Sequence, residues 1–252
     1  IYTLVLIGFA LTGYSQQWVD NMSCNKKASE IVNQAITHLA NLEHLMAVGM
    51  AKAALLIDEN CDCAKLVSAA AASNNSNWGS RAKKLQNVNT NNLNEVEKAW
   101  FMLLSTPNNK FNEASQKALK LYPESALINW LATRYNNFEG MKSFASKFPK
   151  LSASAHNALA YEYARQGNYD AAYESISKSL SIHDGPNAKD SRAEIAAMEG
   201  NYTKAVNSQL QAYDIAPFAS PYYQNLVIYA RNRNIEGLTN SLKEAQIAVQ
   251  DA

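Results

Sequence analysis

The stretch NALAYEYARQGNYDAAYESISKSLSI, from Asn157 to Ile182, carries apolar or small residues at helical spacing on both sides of the turn Gln166-Gly167-Asn168-Tyr169. That pattern predicts two amphipathic helices joined by a tight turn. The segment AEIAAMEGNYTKAVNSQLQAYDIAP, from Ala193 to Pro217, repeats the design, with Gly200-Asn201-Tyr202 standing 33 residues after Gly167-Asn168-Tyr169. Internal periodicity of this length is the signature of stacked repeats.

Working outward, weaker copies of the same pattern predict further helix pairs. Residues 94 to 123 give one, with Trp100 and Leu103 on its first helix and Phe111, Ala114, Ala118 and Leu119 on its second. Residues 125 to 149 give a shorter one with Trp130, Leu131, Phe138, Phe144 and Phe148 as core candidates. Upstream, residues 26 to 58 and 62 to 86 read as two more. Downstream, Tyr222 to Arg231 and Glu236 to Val249 form a last pair whose outer helix is expected to be a solvent-facing cap. The expectation is about six pairs, to within one, in a block at 22–86 and a block at 94–252. The asparagine-rich stretch NVNTNNLNE between them, Asn87 to Glu95, reads as a long loop and is the best place for an internal joint.

The two clearest copies resemble the tetratricopeptide (TPR) family, whose unit of about 34 residues alternates small and large side chains. The resemblance rests on Leu159, Ala160, Tyr163, Gly167, Tyr169, Ala172, Ile176 and Leu180 in one copy. In the other it rests on Ala193, Ala196, Gly200, Tyr202, Ala205, Ala212 and Pro217. It implies an all-α fold, a right-handed α-solenoid in which the alanines let neighbouring helices approach and the tyrosines fill the gaps. It also implies that the first helix of each pair lines a concave face. Carried over residue by residue, the concave positions are Asn157, Tyr161 and Arg165, then Asp190, Glu194 and Met198, then Gln224, Ile228 and Arg231. Their mix of amides, both charge signs and an aromatic ring suits an extended peptide or a protein surface. The Lys and Asn clamp of chaperone-binding TPR proteins is not matched at these positions.

Composition agrees with helices. The 252-residue chain is 47% hydrophobic, enough for a continuous core, and has only 9 glycines and 6 prolines. Its 23 basic and 22 acidic residues are spread along the chain and leave a net charge of +1, so no field steers it toward nucleic acid. The densest basic cluster, Arg81, Lys83 and Lys84, has no interleaved aromatics and reads as a solvated helix face.

Residues 1 to 12, IYTLVLIGFALT, are uncharged and apolar and are followed by GYSQQ. The run is shorter than the roughly 18 to 20 residues that cross a bilayer. It matches the apolar region of a signal peptide at 1–16, with cleavage expected near Ser15, Gln16 or Gln17. Export to the periplasm or outside the cell is the expectation, with no stable membrane insertion afterwards. Cys24 stands too far along to be a lipid-anchor site. In an oxidising compartment the three cysteines predict one disulfide, Cys24 with Cys61 or Cys63, and one free thiol.

No nucleophile elbow, phosphate loop or His-Glu-x-x-His pattern occurs in the chain. Ser-x-x-Lys occurs at Ser23, Ser80 and Ser175 at the frequency expected of a Ser- and Lys-rich sequence. No catalytic residue, cofactor or metal site is expected: His38 and His44 do not share a helix face as an i, i+4 pair would, which argues against a site with Cys61 and Cys63. His156 reads as a packing residue, and His183-Asp184-Gly185-Pro186 as a loop between repeats. The sequence therefore predicts a non-enzymatic scaffold that binds a protein or peptide on its concave face, in a bacterial envelope. The alternatives are a small-molecule or glycan receptor, or an accessory subunit of an exported hydrolase.

Overall fold

The computed structural model describes residues 16–72, 80–133, 138–217 and 219–232. The expected signal segment lies outside these residues apart from Gln16, as does the expected final helix from Glu236 to Val249. The described residues form thirteen α-helices and one short 3-10 turn, with no strand among them. Twelve of the helices make six consecutive pairs: α1 (Lys26–Ala40) with α2 (His44–Ile57), α3 (Asp62–Ala70) with α4 (Arg81–Leu85), and α5 (Glu95–Ser105) with α6 (Asn108–Leu121). Then come α7 (Ala126–Thr133) with α8 (Phe138–Lys147), α9 (Ala153–Arg165) with α10 (Tyr169–Ile182), and α11 (Pro186–Met198) with α12 (Tyr202–Ile215). The last described helix is α13 (Ser220–Asn232). Each pair packs on the next, and first helices stack on first helices, as in α1 on α3, α3 on α5 and α9 on α11. The architecture is an α-solenoid.

The turns of the fifth and sixth pairs are set by backbone hydrogen bonding that a left-handed residue completes. Gly167 and Gly200 have φ of 75° and 83°. Past each glycine the asparagine amide bonds back to the preceding helix, Asn168 to the Tyr163 carbonyl at 2.9 Å and Asn201 to the Ala196 carbonyl at 2.8 Å. The glycine amides bond to the Ala164 and Ala197 carbonyls, completing the six-to-one and five-to-two pattern that closes a helix C-terminus. The same asparagines then start the next helices, their side chains accepting from the Ala171 and Lys204 amides. One short motif thus ends one helix and begins another.

The α1–α2 turn uses the same bonds, with Glu43 N to the His38 carbonyl and Leu42 N to the Leu39 carbonyl. Here Leu42 occupies the left-handed position, at φ 61°. A β-carbon there is disfavoured by roughly 1 to 2 kcal/mol.

Helix faces close through alanine. Ala160, Ala172, Ala193 and Ala205 are each fully buried, Ala160 with Ala172 and Ile176 in one cluster and Ala193 with Ala205 in the next. Tyrosines stitch the repeats together: the Tyr169 hydroxyl donates to the Met198 carbonyl at 3.0 Å and the Tyr173 hydroxyl to Glu199 at 2.6 Å.

The asparagine-rich stretch is anchored rather than loose. Buried Asp62 accepts from the Asn89 amide at 3.0 Å, from the Asn92 side chain at 2.8 Å and from Lys65 at 2.8 Å. Glu97, fully buried on α5, closes a capping box with Asn94 and accepts from the Ser23 amide at 3.1 Å. Arg81 is not part of a solvated face, because its guanidinium donates to the Ala69, Ala70 and Ala72 carbonyls at the end of α3. Cys24 and Cys61 form a disulfide that ties the segment before α1 to the start of α3. Cys63 is a buried thiol, pushed well up in pKa by burial and by the neighbouring Glu97, which keeps it protonated.

Two stability experiments follow from these contacts. Gly167→Ala meets no neighbour within 4 Å, so its effect is the backbone conformation alone. It is expected to lower unfolding free energy by about 1 kcal/mol in denaturant titration, while Leu42→Gly raises it by a comparable amount. Asp62→Asn should lose roughly 1.5 to 3 kcal/mol, the worth of hydrogen bonds to a charged group. Burial raises the Asp62 pKa, but Lys65, the Asn89 amide and Asn92 together hold it below the ordinary 3.8. Its contribution is therefore present above about pH 4 and fades as pH falls through the lower folded value, so the gap between wild type and variant should narrow in acid.

Candidate functional site

The segment ahead of α1 links the first pair to the fourth. Trp18 is 1% exposed and inserts between α1 and the fourth pair. Its indole NH donates to Thr37 Oγ1 at 2.9 Å, and its ring meets Trp130 edge-on at 5.9 Å and stacks on Phe144 at 6.1 Å. Its backbone is held as well, with the amide on Asn33 Oδ1 and the carbonyl accepting from the Leu127 amide. Gln16 adds bonds to the backbone of Lys147 and Lys150.

A second bridge lies at the α1–α2 turn. The Glu43 carboxylate accepts from His38 at 2.5 Å and from His183, 140 residues further on, at 2.8 Å. The Asn187 amide at the start of α11 lies at 3.4 Å. Burial works against the charge on Glu43, yet the hydrogen bonds from His183 and His38 more than offset it and hold its pKa below the usual glutamate value. Glu43 occupies the position that Asn168 and Asn201 hold in their repeats, but its side chain does not cap its own helix.

Between these two bridges the structure encloses a mainly apolar cavity of about 170 Å³. Leu42 and Ala40 of the α1–α2 turn, Trp130 and Thr133 of α7, Met141 and Phe144 of α8, and Ala155, Asn157 and Tyr161 of α9 line it, with Asn187 at one end. Two lining residues carry unsatisfied polar atoms. Ser154 Oγ and Asn157 Oδ1 are buried and have no hydrogen-bond partner. A buried acceptor left unpaired is unfavourable by about 1 to 3 kcal/mol.

The nine concave candidates separate into groups. Asn157 and Tyr161 line the cavity. The Tyr161 hydroxyl donates to Glu194, and burial and that carboxylate together push its pKa upward. Asp190 accepts from Gln209 at 2.8 Å and Asn225 at 3.0 Å, tying α11 to α12 and α13, and burial raises its pKa. Arg165 is exposed and pairs with Glu162 on its own helix at 2.8 Å. Met198 and Ile228 are exposed apolar side chains, and Gln224 and Arg231 are exposed. The structure thus brings Asn157 and Tyr161 to one pocket and places Asp190 and Glu194 in the bonding between repeats.

Sequence reading missed Trp18, Leu42 and Glu43. Trp18 lies in a stretch with no helical period, and nothing local marks it as core. Leu42 had a detectable signal, since Asn41-Leu42-Glu43 stands where the later repeats have Gln166-Gly167-Asn168 and Glu199-Gly200-Asn201. His156 is half-buried, and burial with Lys178 nearby lowers its pKa. His44 is likewise lowered by burial and by Arg81, and no contact joins it to the cysteines.

No family model matches this chain, and no curated protein matches it. Among solved structures it is similar to PilW, described as a widely conserved type IV pilus biogenesis factor. The TM-score is 0.47 at 18% sequence identity, over 90% of this chain and 94% of that one.

Trp18→Ala removes the ring that joins the first pair to the fourth. The expected loss is about 3 to 5 kcal/mol. Tryptophan emission and a denaturation midpoint measured on the variant check it, and a change below 1 kcal/mol would show that the bridge is dispensable.

Proposed function

We propose that this chain is a non-enzymatic scaffold of the bacterial cell envelope that binds a protein or peptide on the inner surface of its solenoid. The observation that supports this reading is the apolar cavity among α7, α8, α9 and the α1–α2 turn, with Ser154 Oγ and Asn157 Oδ1 unpartnered in its lining. An apolar side chain of a peptide has the complementary chemistry, filling a space walled by Trp130, Met141, Phe144 and Tyr161. Ser175 is buried inside α10 and Cys63 is held protonated beside Glu97, so neither is set out as an accessible nucleophile. Among the described residues no helix is long and apolar enough to cross a membrane. Export rests on the apolar run at residues 1 to 12, and the disulfide fits an oxidising compartment.

Crosslinking and capture from the native envelope, repeated with variants, tests the site. Leu42→Asp places a charge at the cavity rim, and Asn157→Leu removes the unpaired acceptor. Each is expected to weaken partner binding about tenfold or more, the equivalent of one lost buried contact. Arg165→Ala, outside the cavity, should leave binding unchanged. Capture that is indifferent to the two cavity variants would remove the inner surface from consideration.

The bounded size of the cavity also favours a second reading, a small apolar molecule as ligand. A thermal-shift panel of peptides and small molecules separates the two, because only the occupant that fills the cavity stabilises the fold.

A further inference from the structure

His38, Glu43 and His183 come together from three chain segments, and their ligand atoms all lie within 4.8 Å of one another. His38 sits in the last turn of α1, Glu43 at the entry to α2 and His183 at the exit from α10. Glu43 Oε2 is the shared vertex, 2.5 Å from His38 Nδ1 and 2.8 Å from His183 Nε2. The two rings meet edge-on with centroids 5.1 Å apart.

We propose that these three side chains form a binding site for a divalent transition-metal ion of the zinc class. Two imidazole nitrogens and one carboxylate oxygen are the donor set that such ions take, with a fourth position left for water or a ligand. Tetrahedral bonds of about 2.0 to 2.2 Å set neighbouring donor atoms about 3.3 Å apart. The observed separations from the carboxylate are shorter by less than an ångström, so rotation of side chains admits an ion without moving the helices. Calcium and magnesium require more oxygen ligands than the group supplies.

Two features of the surroundings fit an ion. The Glu43 side chain is 2% exposed, and among the described residues its ion-pair partners are the two histidines, with no lysine or arginine on it. The buried negative charge therefore has room for a positive neighbour. Secondly, the chain passes so close that a Cβ at Gly185 would collide with Glu43 Oε1 and the His183 ring. A glycine is what lets the loop before α11 close over the three donors. His38 and His183 keep 23% and 16% exposure, which leaves an ion a route in from solvent.

An ion at this point would tie the α1–α2 turn to the α10–α11 loop, at the edge of the cavity that Leu42 and Asn187 line. The site does not depend on the scaffold reading, since metal binding is measured without any partner.

Tag-free protein is stripped with chelator and titrated with Zn²⁺ by calorimetry, then with Co²⁺ by visible absorption. The expected result is one equivalent bound, with a Co²⁺ spectrum of low coordination number and a rise in melting temperature. His183→Gln and Glu43→Gln, which keep hydrogen-bonding capacity, should each weaken binding at least tenfold and remove the thermal shift, with helical circular dichroism unchanged. His44→Gln and Cys63→Ser should bind as wild type does. A wild-type titration with no one-to-one transition overturns the proposal and leaves a hydrogen-bonded latch, as does binding that survives His183→Gln. If His183→Gln or Glu43→Gln fails to fold, His38→Gln, at the more exposed of the two rings, is read in the same titration, and binding that survives it overturns the proposal.

Discussion

Close approach of helix to helix at alanine is the constraint on which the rest of this structure depends. Ala160, Ala172, Ala193 and Ala205 have no exposed surface, and a larger side chain at any of them would hold two backbones apart. Because the spacing recurs at 33 residues, from Ala160 to Ala193 and from Ala172 to Ala205, the fifth and sixth hairpins close in the same way. The turns propagate the relation. Gly167-Asn168 and Gly200-Asn201 fix the exit of one helix and the entry of the next with the same four backbone groups, leaving the hairpin angle little freedom.

A stack built only from such nearest-neighbour contacts would be open and extensible. This one is closed by contacts that the repeat does not supply. Trp18 carries the stack from its first pair to its fourth, and Glu43 from its first pair to the loop between its fifth and sixth. Both are polar as well as apolar junctions, with the indole NH and the carboxylate each hydrogen-bonded across the chain. The cavity is a by-product of that closure, lying between the two bridges. Leu42 illustrates how the local and the global meet: its left-handed backbone is unfavourable in its own turn, yet it puts an apolar side chain on the cavity rim.

The sequence resolved some of these features and was silent on others. Helix pairing was legible almost throughout, even at residues 26–86, because the amphipathic period is a local property carried by every turn of helix. Of the predicted apolar positions, Trp100, Leu103, Ala118, Trp130, Leu131, Phe144 and Phe148 are buried, whereas Phe111, Ala114, Leu119 and Phe138 are half-buried. Less legible was the stretch from Asn87 to Glu95. Its asparagines looked like a loose joint, whereas Asp62 and Glu97 bind the backbone and side chains there, and an acid 27 residues upstream leaves no mark in a local window. Arg81 was taken for surface on the same ground, since its partners are carbonyls, which every residue has.

By itself, the sequence determined the class of fold, the spacing of the hairpins and the residues that close each turn, because these follow from the short-range rules of helix period, glycine conformation and side-chain size. Only the tertiary structure decided which of the first-helix residues face a cavity, that Cys24 pairs with Cys61, and that His38 and Glu43 meet His183 across 140 residues. The disulfide follows from the packing of the first pair on the second, and the meeting of His38 and Glu43 with His183 from the accumulated curvature of the stack. A small rotation per repeat, summed over six pairs, moves distant side chains by more than their own length, and no local pattern encodes that sum.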